Sequence, residues 1–280
     1  MDPGESGTGG EPVVASGAGA GFDPNVPNAA RMYDYFLGGK DNFPADRAAA
    51  EQVLKHVPEI PLGIRENRDF LVRAVRFLAG RGIRQFLDIG AGLPTQRNVH
   101  QVAAEHAPGA RTVYVDNDPQ VLAHARALLQ DSPEVRVVQG DLRRPEEILA
   151  HPDLRDHLDL TRPVAVLLLA IVHFLPDSDE PRRVIGRIRD ALAPGSYLAM
   201  SHVAVDERPE SAPDVERVYQ GASAQFVARR SSEITPFFEG LDLVEPGIVN
   251  LHQWRPEHDA FDPRLLGVES YFLCGVGAVR

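Results

Sequence analysis

The spacing of apolar residues along the chain changes character near residue 83. Residues 28–82 carry apolar positions at the three- and four-residue spacing of helices. From residue 83 onward, short apolar runs alternate with helical patterns, and the runs lie at 84–90, 111–116, 135–141, 163–172 and 196–203. Strands that alternate with helices predict a doubly wound α/β fold, in which a mostly parallel sheet is covered on both faces.

The C-terminal third follows a different pattern. Residues 205–231 form an insertion after the fifth predicted strand, and 214–230 within it have helical character. Two later apolar runs, at 241–249 and 269–279, are separated by a loop rather than a long helix. We therefore expect them to form an antiparallel hairpin at the edge of the sheet.

Composition restricts the class of protein. The first 27 residues hold seven glycines, four prolines and no lysine or arginine, which predicts a disordered tail. The net charge of −11 disfavours a nucleic-acid partner. With Cys274 as the one cysteine, a disulfide within the chain and a cysteine-based zinc site are excluded, and no metal-ligand spacing is present. No apolar run reaches the roughly 20 residues that span a bilayer, and no leader-like segment is present, so we expect no membrane contact and a cytoplasmic location.

Candidate binding residues lie at the ends of the predicted strands, where ligands bind in open parallel sheets. Gly90 and Gly92 follow the first strand and permit a close approach of the backbone, and Thr95 is a candidate cap for the next helix. Asp116 ends the second strand, where a carboxylate can accept hydrogen bonds from both hydroxyls of a ribose. Taken singly, the glycines also suit a tight turn, and Asp116 also suits a solvated loop.

The third and fourth strands end in further candidates. Asp141 can accept from an exocyclic amine and Leu142 can pack on a base, although Gly140 and Asp141 also form ordinary turns. His173 follows the fourth strand, where a general base could lie, and a structural histidine is an equally good interpretation. In combination, these features predict a ligand that contains adenosine.

The motifs LDIGAGLPT, YVDND, QGDLRRP and LLLAIVHFLPD resemble those of class I S-adenosylmethionine-dependent methyltransferases. In addition, RMYDYFLGGKDNFPADR resembles an N-terminal pattern of a bacterial branch of that superfamily. The resemblance implies a Rossmann-like sheet of seven strands, with one antiparallel strand in the edge hairpin and a helical lid over residues 28–82. Residues 83–280 would then form the domain that binds S-adenosylmethionine and releases S-adenosylhomocysteine.

The resemblance also assigns roles to residues. The Gly90–Thr95 loop would contact the methionine part of the cofactor, although Pro94 departs from the usual G-x-G-x-G pattern. Asp116 would hold the ribose, Asp141 and Leu142 would surround the adenine, and Ala170, His173 and Phe174 would lie near the sulfonium. The other cofactor-binding candidates at the strand ends are Asp88, Ala91, Asn117, Gly140 and Ile171.

The N-terminal helices supply the lid candidates. Arg31, Tyr33, Tyr35, Lys40 and Asn42 flank the Gly38-Gly39 turn, a plausible hinge, and could fold over the cofactor. Alternatively, this segment packs on the sheet through Met32, Tyr35 and Phe36. Asn67 and Arg68, in the next helix, are further candidates.

The sequence does not identify the acceptor of the methyl group. His173, His202 and His252 are candidate bases, and we expect a catalytic role for His173 or His202. The segment after the fourth strand lacks the Asn/Asp-Pro-Pro-aromatic motif of enzymes that methylate DNA or protein amides, which favours a small-molecule acceptor. Two other functions share the strand-end pattern. One is a regulatory protein that binds S-adenosylmethionine without catalysis. The other is a nicotinamide-dependent oxidoreductase, which is disfavoured because Thr95 stands at the position of the third glycine in the G-x-G-x-x-G fingerprint.

Overall fold

The structure, a computed structural model, describes residues 23–94, 97–129, 132–206, 208–256 and 271–280. Within these ranges the α-helices are α1 (Ala29–Phe36), α2 (Pro44–His56), α3 (Ile60–Gly80), α4 (Val99–His106), α5 (Pro119–Leu129), α6 (Pro145–Ala150), α7 (Pro152–His157), α8 (Pro181–Asp190), α9 (Ala212–Tyr219) and α10 (Ser231–Ile234). None of these helices combines the length and apolar character that crossing a membrane requires. Residues 1–22 of the predicted tail lie outside the described ranges.

A mixed sheet forms the centre of the molecule, and it confirms the predicted α/β class. Its strands are β1 (Gln85–Ile89), β2 (Arg111–Asp116), β3 (Val135–Gln139), β4 (Ala165–Leu169), β5 (Tyr197–Val203), β6 (Leu241–Leu243), β7 (Val249–Asn250) and β8 (Phe272–Val279). The order is β3-β2-β1-β4-β5-β8-β6, and the first five strands are parallel. The chain order therefore reverses between β1 and β4, and this reversal places a crevice at their carboxyl ends.

The C-terminal strands differ in detail from the predicted hairpin. The antiparallel strand β8 lies inside the sheet, between β5 and the edge strand β6. The predicted strand 241–249 is divided into β6 and β7, and both pair with β8. Pro246 has no N–H to donate to a ladder and Gly247 has φ +89°, so the strand cannot continue through this turn.

Both faces of the sheet are buried, as expected for a doubly wound fold. Val166 and Leu168 of β4 belong to one core with α8, whereas Ala165 and Leu167 belong to the other core with α3. Five apolar residues on one face of α3 are buried in that second core: Phe70, Leu71, Ala74, Val75 and Leu78. Near the start of the same helix, Ile64 instead packs in a core with Met32 of α1 and Val53 of α2.

A third, smaller core joins the N-terminal helices to the insertion. Met32 and Phe36 of α1 pack with Val53 of α2, Val215 of α9 and Phe226. The alternative that α1 packs on the sheet is therefore replaced by packing against residues 212–226. The predicted helix 214–230 ends earlier, at Tyr219, because the backbone turns at 220–221 before an extended segment.

Candidate functional site

A cavity of about 630 Å³ lies at the carboxyl ends of β1 to β4, beneath α1 and residues 223–225 of the insertion. The predicted cofactor-binding residues that line it are Tyr33, Asp88, Gly90, Ala91, Gly92, Asp116, Asn117, Gly140, Asp141, Leu142, Ala170, Ile171 and Phe174. Asn67 and Arg68 of α3 also line it. The fold therefore brings together residues that are more than 140 positions apart.

The floor of the cavity is a tight turn after β1. Gly90 and Gly92 have φ of +78° and +65°, a region that favours glycine. The Gly90 N–H donates to the carbonyl of Val115 at 2.8 Å, which holds the turn against β2. A Cβ on Gly90 would lie 2.6 Å from Cγ1 of Ile171. Glycine is therefore required here both by the backbone and by the neighbouring wall.

Asp116 lies at the end of β2 with its side chain held by backbone donors. The N–H of Gly92 donates to Oδ2 and the N–H of Asp118 donates to Oδ1, each at 2.9 Å. Burial raises the pKa of the carboxyl, and the backbone hydrogen bonds oppose this rise. Each oxygen keeps a further lone pair, so the carboxylate can still accept from hydroxyl groups in the cavity. Asp118 caps α5 by accepting from Gln120 N–H at 2.7 Å.

Asp88 is a second buried carboxyl in the cavity wall. Burial raises its pKa to about 7; the guanidinium of Arg68 lowers the pKa and the nearby Asp116 carboxylate raises it. A carboxyl with this pKa changes its charge near neutral pH. A cation placed in the cavity would favour the ionised form.

Asp141 lies on the rim after β3. Arg143 donates to both of its carboxylate oxygens, with Nε 2.9 Å from Oδ1 and from Oδ2. These bonds and the positive charge of Arg143 hold the pKa of Asp141 below its usual range, although partial burial acts in the opposite direction. Leu142 is buried beside it. The pair presents an ionised acceptor next to an apolar surface.

The turn after β4 forms the opposite wall. Ala170 has φ +52°, an unusual conformation for a residue with a side chain. Its N–H donates to Oγ of Ser201 at 2.9 Å, with the carbonyl of Ser201 at 3.2 Å. Ile171 and Phe174 follow on this wall.

The lid candidates separate into two groups. Tyr33 lines the cavity, whereas Arg31 and Asn42 are not among the lining residues. Arg31 is buried and bonds Asp46 at 2.8 Å. Asn42 donates to Asp34 at 2.7 Å. Tyr35 donates its hydroxyl to Glu51 on the exposed side of the helix pair, and Lys40 is exposed.

The predicted hinge is held by a side chain. Gly39 lies against the carboxyl of Asp34, which accepts from the N–H of Asp41 at 2.9 Å as well as from Asn42. The turn is thus hydrogen-bonded to α1, and these bonds oppose a hinge motion at Gly38-Gly39. Asp34 itself lines the cavity and was not predicted from the sequence.

The loop after Gly92 reaches the main cavity through Leu93, whereas Pro94 lines a small neighbouring void of about 20 Å³. Thr95 lies outside the described residues. The next helix, α4, begins at Val99 and has Asn98 as its N-cap residue.

The candidate bases are not among the residues that line the cavity. His173 and His202 are 4% and 2% exposed, and their rings pack against each other. His202 donates from Nδ1 to the carbonyl of Val203 at 2.6 Å, and Nε2 accepts from Arg229 at 3.3 Å. Burial lowers the pKa of His173 well below its usual value and that of His202 to about 3. His252 lies in the turn Leu251–Gln253, which packs against α3.

The buried His202 predicts a loss of stability in mild acid. Its pKa is near 6.5 in the unfolded chain and about 3 in the folded chain, so protonation favours unfolding as the pH falls below 6.5. Between pH 7 and pH 5 we expect His202 to lower the free energy of unfolding by about 2 kcal/mol. Urea unfolding of the wild type and His202→Gln at both values measures this. An equal dependence on pH in the two proteins would contradict the assignment.

Several cavity residues carry no recognisable sequence pattern. Ser223, Ala224 and Gln225 form part of the roof, and Ser223 accepts a hydrogen bond from the side chain of Asn28 at 3.0 Å. The backbone N–H of Ser223 donates to the carbonyl of Pro27 at 2.8 Å. No periodic pattern marks such residues because they are placed by contacts between the insertion and the start of α1.

The sequence model of a family described as S-adenosyl methyltransferase matches residues 16–280. No curated protein matches the chain. A crystal structure from Thermobifida fusca YX, described as a candidate methyltransferase, is 44% identical, with coverage of 91% of this chain and 96% of its own and a TM-score of 0.85. A DUF574 family protein from Streptomyces avermitilis MA-4680 is 43% identical, with coverage of 92% and 99% and a TM-score of 0.85.

A more distant structure agrees in fold alone. An O-methyltransferase family protein from Burkholderia thailandensis is 13% identical, with coverage of 90% of this chain and 64% of its own and a TM-score of 0.51. The same arrangement of sheet and helices therefore occurs in a protein with little sequence similarity.

Proposed function

Because this chain belongs to the S-adenosyl methyltransferase family, we propose that it binds S-adenosylmethionine in the strand-end cavity and transfers the methyl group to a small-molecule acceptor. The strongest support is the position of Asp116. Its buried carboxylate is oriented by two backbone N–H groups at the carboxyl end of β2, beside the glycine turn that follows β1. This is the position from which an acid binds a ribose in doubly wound folds.

The other residues of the cavity fit the remaining parts of the cofactor. Gly90 and Gly92 form a floor without side chains, where the methionine part can approach the backbone. Asp88 presents a carboxyl to the positive charges of the ammonium and sulfonium groups. Asp141 and Leu142 offer an acceptor and an apolar surface to the adenine.

When bound, S-adenosylmethionine supplies a methyl group that its sulfonium makes electrophilic. The chain's own contribution is to orient the acceptor and to exclude water. Phe174 and Ile171 on the wall and Tyr33 on the lid line the space beyond the floor. A nucleophilic acceptor needs only this positioning, and we assign His173 and His202 to packing rather than to proton transfer, because both are buried away from the cavity.

The small-molecule acceptor is supported by the cavity itself and by the segment after β4. The acceptor would enter a cleft partly covered by α1 and residues 223–225. The sequence AIVHFLPD in the β4 turn lacks the Asn/Asp-Pro-Pro-aromatic motif of enzymes that act on amides of DNA and protein. An acceptor of low molecular weight is therefore the better fit.

A labelled-methyl transfer screen tests this function. Purified protein is incubated with methyl-labelled S-adenosylmethionine and fractionated metabolite extracts, and both S-adenosylhomocysteine and labelled products are measured. We expect label in a low-molecular-weight fraction that depends on the protein. Binding of S-adenosylmethionine without transfer to any fraction would instead favour a regulatory, non-catalytic protein, and label in macromolecules would contradict the small-molecule acceptor.

The raised pKa of Asp88 predicts how cofactor affinity depends on pH. The carboxyl has a pKa of about 7, and a cationic ligand prefers the ionised form, so affinity should increase as the pH rises. From pH 6 to pH 7 the ionised fraction, and with it the affinity, should increase about fivefold. Calorimetry at pH 6.5 in two buffers of different ionisation enthalpy should show proton release on binding. Asp88→Asn should remove that release, and an unchanged release would show that another group titrates.

A further inference from the structure

A series of hydrogen bonds, buried at its centre, runs from the lid to the wall of the cavity. Asn67 of α3 is at its centre and is 4% exposed. Its Nδ2 donates to the hydroxyl oxygen of Tyr33 on α1 at 3.1 Å. Its Oδ1 accepts from the hydroxyl of Ser201 on β5 at 2.6 Å. One side chain thus joins three elements that are far apart in sequence.

The far end of this series holds a strained turn. Oγ of Ser201 accepts from the N–H of Ala170 at 2.9 Å, and Ala170 has φ +52°. A residue with a side chain keeps such a conformation only where its surroundings hold it. Ser201 is 1% exposed, so water does not compete for these bonds.

The directions of the bonds specify the side chains. The single hydrogen of the Ser201 hydroxyl goes to Asn67, which leaves its oxygen to accept from Ala170. The hydroxyl of Tyr33 accepts from Asn67 and donates to the carbonyl of Ile64 at 3.3 Å. Burial raises the pKa of Tyr33, so its hydroxyl remains protonated and available as a donor. Only an amide at position 67 satisfies both neighbours.

We infer that Asn67 is a positioning residue that couples the lid helix α1 to the Ala170 turn, so that the roof and the wall of the cavity adopt one arrangement together. The coupling concerns the site of the proposed function, and its value for catalysis rests on that function. The bonds join residues of the chain itself, so they can be tested on the protein without added cofactor.

Amide hydrogen exchange on the unliganded protein provides the test, with two windows at residues 29–37 and 170–175. Tyr33→Phe removes the lid bond and Ser201→Ala removes the turn bond. Each variant should speed amide exchange severalfold in the window at the opposite end of the hydrogen-bond series: 170–175 for Tyr33→Phe and 29–37 for Ser201→Ala. Tyr35→Phe is the matched control, because the hydroxyl that it removes bonds Glu51 outside the cavity. We expect no change in exchange at 170–175 in this variant. Changes confined to each variant's own end would overturn the coupling.

A second measurement connects the coupling to binding. In a double-mutant cycle, the S-adenosylmethionine affinities of Tyr33→Phe, Ser201→Ala and the double variant are compared by calorimetry. Coupling through Asn67 predicts that the double variant is no weaker than the weaker single variant. Fold-losses that multiply would contradict it. A wild type that fails to bind would refute the proposed function, and the exchange result would still decide whether the coupling exists.

Discussion

We expect Asp116→Ala to weaken the binding of S-adenosylmethionine by roughly 1–3 kcal/mol, the scale of hydrogen bonds to a charged group. At the end of β2, both oxygens of this carboxylate accept hydrogen bonds from backbone N–H groups. One of these donors is Gly92, in the glycine turn. Alanine removes the acceptors for the ribose hydroxyls and also releases the N–H of Gly92. Isothermal titration calorimetry of the variant and the wild type measures the difference.

Two further variants separate the causes of this loss. Asp116→Asn keeps one oxygen acceptor and removes the charge, so its affinity should lie between those of the wild type and the alanine variant. Asp242→Ala removes an equal charge from an exposed position on β6, at the far edge of the sheet, and serves as the control for net charge. A folded Asp116→Ala protein with wild-type affinity would remove Asp116 from the site.

Gly90→Ala has the second large expected effect, on both stability and binding. The substitution places a side chain at φ +78° and a Cβ 2.6 Å from Ile171. We expect a loss of roughly 2–5 kcal/mol in the free energy of unfolding, the sum of backbone strain and overpacking. Since Ile171 must move and it lines the cavity, cofactor affinity should also fall. Thermal unfolding and calorimetry measure the two effects.

Gly109→Ala is the matched control for this prediction. Gly109 has φ +77°, and no atom lies within 4 Å of a Cβ at this position, so strain acts there without a clash. We expect a loss of about 1–2 kcal/mol and unchanged cofactor affinity. In the double variant Gly90→Ala/Ile171→Ala, the smaller side chain at position 171 should relieve the clash and restore part of the cofactor affinity. Equal effects of Gly90→Ala and Gly109→Ala would show that the wall plays no part.

The sheet and its strand ends were accessible from sequence because both depend on local pattern. The apolar runs that became β1 to β5 alternate with helices, and parallel strands place their carboxyl ends on one edge. Gly90, Gly92 and Asp116 follow directly from that placement. The split at Pro246 was not predicted, because the apolar run 241–249 was taken as one strand although proline cannot donate to a ladder.

Contacts between distant segments were not accessible. Arg31 was expected at the cofactor, but it does not line the cavity: it bonds Asp46 of α2 at 2.8 Å and lies 3.6 Å from the carboxylate of Asp118, which does line it. His173 was expected near the acceptor, but the ring turns towards His202 and Phe226. Periodicity places a residue on one face of an element and does not determine which distant segment covers that face.

Cofactor choice at the strand-end cavity provides the most direct test. The wild-type chain is titrated by calorimetry with S-adenosylmethionine and, separately, with NADH. Membership of the S-adenosyl methyltransferase family, together with the ribose-binding position of Asp116, predicts saturable binding of one S-adenosylmethionine per chain, displaced by S-adenosylhomocysteine, and no heat of binding with NADH. Binding of NADH in place of S-adenosylmethionine, or binding of neither by the folded chain, would contradict the account.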